Sequence, residues 1–151
     1  MTLNNLAILY RAHLRTQEAE HAYTEALTIR RRLAEANPDA YLPDVATTLN
    51  NLALLYRDIQ RVQEAERAAI EAEQTLAPYW EANPTVHGDQ MAKILLVRAA
   101  LCESGGNVTE ACTLARRALP AAYDPDLKEV LQRLIAEVCP SAEEAGSELS
   151  R

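Results

Sequence analysis

Glycine is scarce in this chain and phenylalanine is missing altogether, with four Gly and no Phe in 151 residues. Alanine, leucine, glutamate and arginine take their place, which favours helix and leaves little from which to build a sheet. Basic residues are also in deficit, 15 Lys and Arg against 22 Asp and Glu, for a formal net charge of −7. Nucleic acid requires a basic face for its phosphates, so it is excluded as a partner, and an anionic membrane surface is excluded on the same ground. No apolar run approaches the roughly 20 residues of a membrane-spanning helix. The N-terminus lacks the basic region and apolar run of a signal peptide.

Cysteine is limited to Cys102, Cys112 and Cys139, with no CxxC pair and no histidine nearby. An odd, scattered set in a helical chain reads as buried small hydrophobes in a reducing compartment, with neither disulfide nor metal, and the expected localisation is cytoplasmic. Catalytic arrangements are missing too. No glycine-rich phosphate loop, nucleophile elbow or HExxH occurs. His13, His21 and His87 are dispersed, and the first two do not have the i, i+4 spacing of a helical metal pair. Glu143-Glu144 lies in the terminal tail. The expectation is a chain without enzymatic activity, metal or cofactor.

What is present is a repeat. With 48% hydrophobic and 25% charged residues, the composition suits one domain with a real core. Thr2-Leu3-Asn4-Asn5-Leu6-Ala7 returns 46 residues later as Thr48-Leu49-Asn50-Asn51-Leu52-Ala53, each copy followed by Tyr-Arg (Tyr10-Arg11, Tyr56-Arg57). Glu35-Ala36-Asn37-Pro38 returns as Glu81-Ala82-Asn83-Pro84, and Glu18-Ala19 as Glu64-Ala65 and Glu110-Ala111. Three landmarks at one offset mark an internal duplication, and a period of about 20–50 residues indicates a solenoid whose units bury their apolar faces against neighbours.

Each unit reads as two helices. In the second copy Pro43 is expected as a first-turn proline, followed by Val45, Leu49, Leu52, Ala53, Leu55 and Tyr56 at helical spacing. A polar turn near 58–61 precedes a second helix from about Val62 to Glu81, striped with Ala65, Ala68, Ala69 and Ala72 and closed by Asn83-Pro84. In the third copy the helices are expected at Gln90–Glu103 and Thr109–Leu119, the latter cut short by Pro120. Asp124-Pro125 then reads as an N-cap and first-turn proline opening a capping helix with Leu127, Val130, Leu131, Leu134, Ile135 and Val138 on one face. The predicted architecture is all-α, a right-handed superhelical solenoid of antiparallel helix hairpins. It comprises a domain at 1–139 with repeats at about 1–38, 39–84 and 85–120, a capping helix at about 125–139, and a disordered tail at 140–151. The proline matching Pro43 would precede Met1, so the chain is expected to be a piece of a longer array.

Leu6-Ala7, Tyr10, Glu18-Ala19 and Ala26, recurring as Leu52-Ala53, Tyr56, Glu64-Ala65 and Ala72, resemble the tetratricopeptide repeat. The third copy keeps Ala99, Gly106, Ala111 and Ala118. The usual period is about 34 residues. The longer period here, with Leu-Asn-Asn-Leu-Ala, is similar to the kinesin-light-chain-like branch of that family. The family's turn glycine is replaced by Leu14 and Gln60 in the first two copies and occurs only as Gly106. The resemblance implies a protein-interaction scaffold whose first helices line a concave groove.

On that groove the resemblance and the residue types together point to Asn4, Asn5, Ile8, Arg11, Asn50, Asn51, Leu54, Arg57 and Lys93. Asparagine is a mediocre helix former, so adjacent pairs in two helices call for a reason. An amide can pair with a peptide backbone whatever that peptide's sequence, and Asn5 and Asn51 best match the asparagines that contact peptide in kinesin-light-chain-like repeats. The alternative is hydrogen bonding between helices that fixes the stacking of repeats, and both readings stand. Arg11, Arg57, Lys93 and Arg98 on first helices, against acid concentrated on second helices, suggest a ligand of acidic character. The carboxylate clamp of chaperone-binding relatives is not matched at Asn4 and Ile8. Two other functions fit the sequence: a spacer that self-associates through its uncapped N-terminal edge, and a regulatory segment of a larger signalling or protease-linked protein.

Overall fold

The computed structural model describes residues 2–141, and most of the tail expected to be disordered lies outside them. Seven helices follow one another among those residues: α1 (Leu3–Ala12), α2 (Thr16–Ala36), α3 (Pro38–Asp58), α4 (Val62–Ala82), α5 (Pro84–Ser104), α6 (Val108–Ala121) and α7 (Pro125–Val138). Local chemistry sets their starts. The Thr2 hydroxyl accepts from the Asn5 N–H, the Asn37 side chain from Ala40, and the Asn107 side chain from Glu110. Asp124 accepts from both Asp126 and Leu127, with Pro125 at the first helical position where its missing N–H costs nothing.

The two Asn-Pro pairs correct the expected boundaries. Asn37 and Asn83 each end one helix and begin the next, so α2 passes to α3 and α4 to α5 through a single residue. A 21-residue helix, the turn 59–61, another 21-residue helix and one asparagine fill the 46-residue period. Pro43 is therefore interior to α3 and not in its first turn. It removes one backbone donor, a loss a long helix packed on four neighbours can absorb. Gln90 reaches across from α5 to donate to the Pro43 carbonyl at 2.6 Å and to Thr47 Oγ1 at 2.8 Å. Likewise α5 begins at Pro84 and not at Gln90, and Pro120 lies inside α6 without ending it. The polar run before Gln90 hid this start because Gly88 looks like a breaker. A Cβ there would sit 2.2 Å from the Ala121 carbonyl oxygen, so the glycine marks a close helix approach.

Successive helices pack side by side, and the odd-numbered ones also touch each other: α1 with α3, α3 with α5, α5 with α7. No such backbone approach joins α2 to α4 or α4 to α6 among the described residues. A stack tight on one side and open on the other curves, which puts α1, α3 and α5 on the inner wall. Alanines permit the approach. Ala7, Ala53 and Ala99 on odd helices, and Ala19, Ala65 and Ala111 on even ones, are all buried. On the outer side long side chains bridge the wider gap. Arg31 pairs with Glu71, Arg61 donates to both oxygens of Glu20 at 2.8 Å, and Glu73 accepts from Arg98 and, at 2.8 Å, from Arg117.

The C-terminal end overturns the reading of three free thiols. Cys112 of α6 and Cys139 at the end of α7 form a disulfide, their Cα atoms 5.1 Å apart, and only Cys102 is free. The sequence separation of 27 residues concealed the pair. It is met only because α7 folds back along α6, burying Leu131 and Val138. The Asp89 carboxylate secures the preceding loop, accepting from the Tyr123 and Asp124 N–H groups at 2.5 and 2.9 Å. Those backbone bonds, from Asp124 first and then Tyr123, hold its carboxyl below the usual range.

Two stability measurements follow. The turn position is left-handed in all three hairpins, at Leu14 (φ 58°), Gln60 (φ 63°) and Gly106 (φ 81°). A side chain there costs about 1–2 kcal/mol, partly offset by glycine's extra freedom when unfolded. Gln60→Gly should therefore stabilise by about 0.5–1 kcal/mol and Gly106→Ala should destabilise by about 1 kcal/mol, read from urea unfolding midpoints. A loss on Gln60→Gly would show that the glutamine side chain matters more than its backbone. Closing a loop of this size is worth about 3.5 kcal/mol in the chain-entropy account. Reductant should thus lower the melting temperature of the wild type and leave a Cys112→Ser, Cys139→Ser variant unmoved, and equal responses from the two would contradict the pairing.

Candidate binding groove

The inner wall carries two adjoining clefts of about 410 and 390 Å³ that share Asn50, Asn51 and Lys93. The first is completed by Asn4, Ile8, Thr47, Gln90 and Ile94, and the second by Leu54, Arg57, Leu96, Val97 and Ala100. Helical periodicity explains the grouping. Residues 4 and 8, or 50, 54 and 57, recur every three or four positions and so point the same way from their helix. Seven of the nine residues singled out from the sequence line these clefts, whereas Asn5 and Arg11 do not.

The two exceptions have definite locations. Asn5 is exposed on α1. Its counterpart Asn51 faces a preceding helix and donates Nδ2 to Asn4 Oδ1 at 3.3 Å, an amide bridge between α1 and α3. Asn5 has no such neighbour among the described residues. Arg11 turns along the helix ends, its Nε and Nη2 reaching Asp58 Oδ2 at 2.7 and 2.6 Å. Arg57 lies 3.5 Å from the same carboxylate. Asp58 thus offsets part of the positive charge expected of this wall, and Arg98 is turned toward Glu73 on α4. Lys93 is exposed, forms no salt bridge among the described residues, and lines both clefts.

The amides are not equivalent. Asn4 and Asn50 are buried, at 7% and 9% exposure. Asn4 is satisfied by Asn51, but Asn50 Oδ1 is buried with no hydrogen-bond partner. A buried acceptor left unpaired costs on the order of 1–3 kcal/mol. The oxygen has almost no exposed surface, so an N–H in the cleft recovers that cost once the Asn50 side chain turns toward it. Along the wall the chemistry changes from amide to apolar, since the positions of Asn50, Asn51 and Leu54 become Leu96, Val97 and Ala100 one period later. Those three carry no amide or charge to single them out, although the 46-residue offset points straight to them. Thr47 lies one period before Lys93, whereas Gln90 and Ile94 had no such signal, because contacts between adjacent repeats place them.

A family model described as tetratricopeptide repeat matches residues 1–39 and 45–72, within the first two hairpins. Among solved structures, the N-terminal domain of stress-induced protein-1 (STI-1) from C. elegans is similar, with a TM-score of 0.59 over 87% of this chain and 91% of that one. Its sequence identity of 17% makes this a likeness of fold alone. No curated protein matches the chain significantly. Among the described residues no helix is long and apolar enough to cross a membrane.

Proposed function

We propose, for a chain that belongs to the tetratricopeptide-repeat family, that the concave groove of α1, α3 and α5 binds an extended peptide or partner segment. The fold generally mediates protein–protein interaction, and its members are typically scaffolds without enzymatic activity. The observation that carries the finer reading is the unpaired Asn50 Oδ1 at the junction of the two clefts. A backbone N–H is the one donor every peptide offers, so an acceptor at this point recognises extended chain without regard to sequence. Ile8, Leu54, Leu96 and Val97 supply apolar contact on either side. Exposed Lys93 adds a preference for acidic side chains, through steering more than raw affinity. The rigid stack is already ordered, which lowers the entropic cost of binding on the protein side.

Panning a library of random 12-residue peptides against the chain supplies the probes. Peptides so selected should be enriched in Asp and Glu. Their affinity should fall about tenfold on Asn50→Ala, through loss of one buried amide acceptor, and should weaken on Lys93→Ala by a margin that shrinks as salt rises. Glu71→Ala on the outer side removes only an exposed ion pair and should change little. If Glu71→Ala abolished binding while Asn50→Ala and Lys93→Ala were silent, the outer face would be the working surface.

A further inference from the structure

The hairpins meet at one constant offset, which shows where the amide chemistry of the inner wall breaks off. Across the α1–α3 junction Arg11 reaches Asp58 and Asn51 donates to Asn4, each pair 47 residues apart. Across the α3–α5 junction Gln90 donates to the Pro43 carbonyl, again 47 residues away. A residue on the inner side of one odd helix therefore faces the residue 47 positions on. For Asn4 that residue is Asn51, and for Asn50 it is Val97.

Valine ends the amide series. At the first junction Asn51 gives its Nδ2 to the oxygen of buried Asn4 at 3.3 Å. At the second, Val97 lines the cleft with Asn50, is 6% exposed, and has no polar side-chain atom to offer. Asn50 Oδ1 is accordingly buried without a partner among the described residues. Asparagine is no bulkier than valine, so lack of room does not account for the exchange. A buried acceptor without a partner calls for an explanation. Here its cost falls on the unliganded protein. An N–H that meets the oxygen, once the Asn50 side chain has turned toward the cleft, relieves that cost, and the relief appears as affinity.

We propose that Val97 is a specificity-determining residue of the groove: it withholds the amide that would close the series at the α3–α5 junction, and so reserves Asn50 Oδ1 for a ligand N–H. This rests on the groove reading above and narrows it to one place. At the α1–α3 junction the equivalent oxygen, that of Asn4, is already engaged by Asn51. The ligand backbone is therefore anchored between the second and third hairpins, where Leu54, Leu96 and Ala100 line the same cleft. Stability and affinity are opposed at position 97, because a donor that satisfies Asn50 from within removes what the ligand gains by satisfying it from outside.

One set of full-chain variants tests this, read by thermal melting and by titration with the 12-residue peptides obtained from panning. Val97→Asn supplies the missing donor, whereas Val97→Ala removes the same apolar contact without supplying one. Val97→Asn should melt about 2–4 °C above Val97→Ala, yet bind the peptides about tenfold more weakly than Val97→Ala does. In an Asn50→Ala background the stability advantage and the affinity loss should both disappear, an outcome that packing at position 97 alone does not give. Asn51→Val makes the reverse exchange at the first junction. It strands the Asn4 oxygen and should lower the melting temperature by a similar margin, a check that does not depend on how Val97→Asn folds. If Val97→Asn matches Val97→Ala in affinity while Asn50→Ala still weakens the peptides, the groove stands and the role of Val97 is overturned. If Asn50→Ala is silent, the groove reading falls and this proposal with it. A melting temperature unmoved by Asn51→Val would overturn the proposal without reference to any peptide.

Discussion

Everything in this molecule depends on how little chain separates one hairpin from the next. Asn37 and Asn83 are single-residue joints, each the C-cap of one helix and the N-cap of its successor. Proline directly after each asparagine ends the incoming helix and starts the outgoing one, because it lacks an N–H and its φ is already helical. With no slack in the joint and 21 residues in each long helix, residues 46 apart lie at equivalent heights in neighbouring hairpins. The alanine contacts, the outer ion pairs and the Asn4–Asn51 bridge all rest on that registration.

The curvature follows from two different ways of closing the gap between hairpins. Alanine at 7, 53 and 99 lets odd helices come together on the inside. On the outside the even helices stand apart and are linked by arginine–glutamate pairs. Exposed pairs of this kind contribute little individually. Their value is directional, because each charge meets specific partners in the neighbouring hairpin, as Glu73 meets Arg98 and Arg117, and so fixes how the units meet.

The groove shows the conflict between stacking and recognition. Asparagines within a helix can bind a ligand or bind the next helix, and here the four divide the tasks. Asn51 donates to Asn4, Asn5 is exposed, and Asn50 keeps a buried oxygen without a partner. Asp58 offsets part of the charge of Arg11 and Arg57. The inner wall is consequently less basic than a count of its arginines suggests, and Lys93 is its exposed cation without a salt bridge among the described residues.

The sequence by itself determined the helical class, the 46-residue unit, the alanine contact positions and the Asp124 cap. Those are properties of local propensity and periodicity, and each is written in residues close together or at a constant offset. Seven of the thirteen residues that line the two clefts were legible for the same reason. Tertiary structure alone decided the rest. Pro43 is interior because Asn37 nucleates α3 six residues earlier, and Gly88 opens no loop because α5 needs its missing Cβ where Ala121 passes. Whether an asparagine pairs across a junction depends on the helix beside it, which no local pattern specifies. Cys112 and Cys139 lie far apart in the chain, and composition argued for free thiols. They meet because the apolar face of α7 must be buried along α6, and only the packed stack brings their sulfurs together.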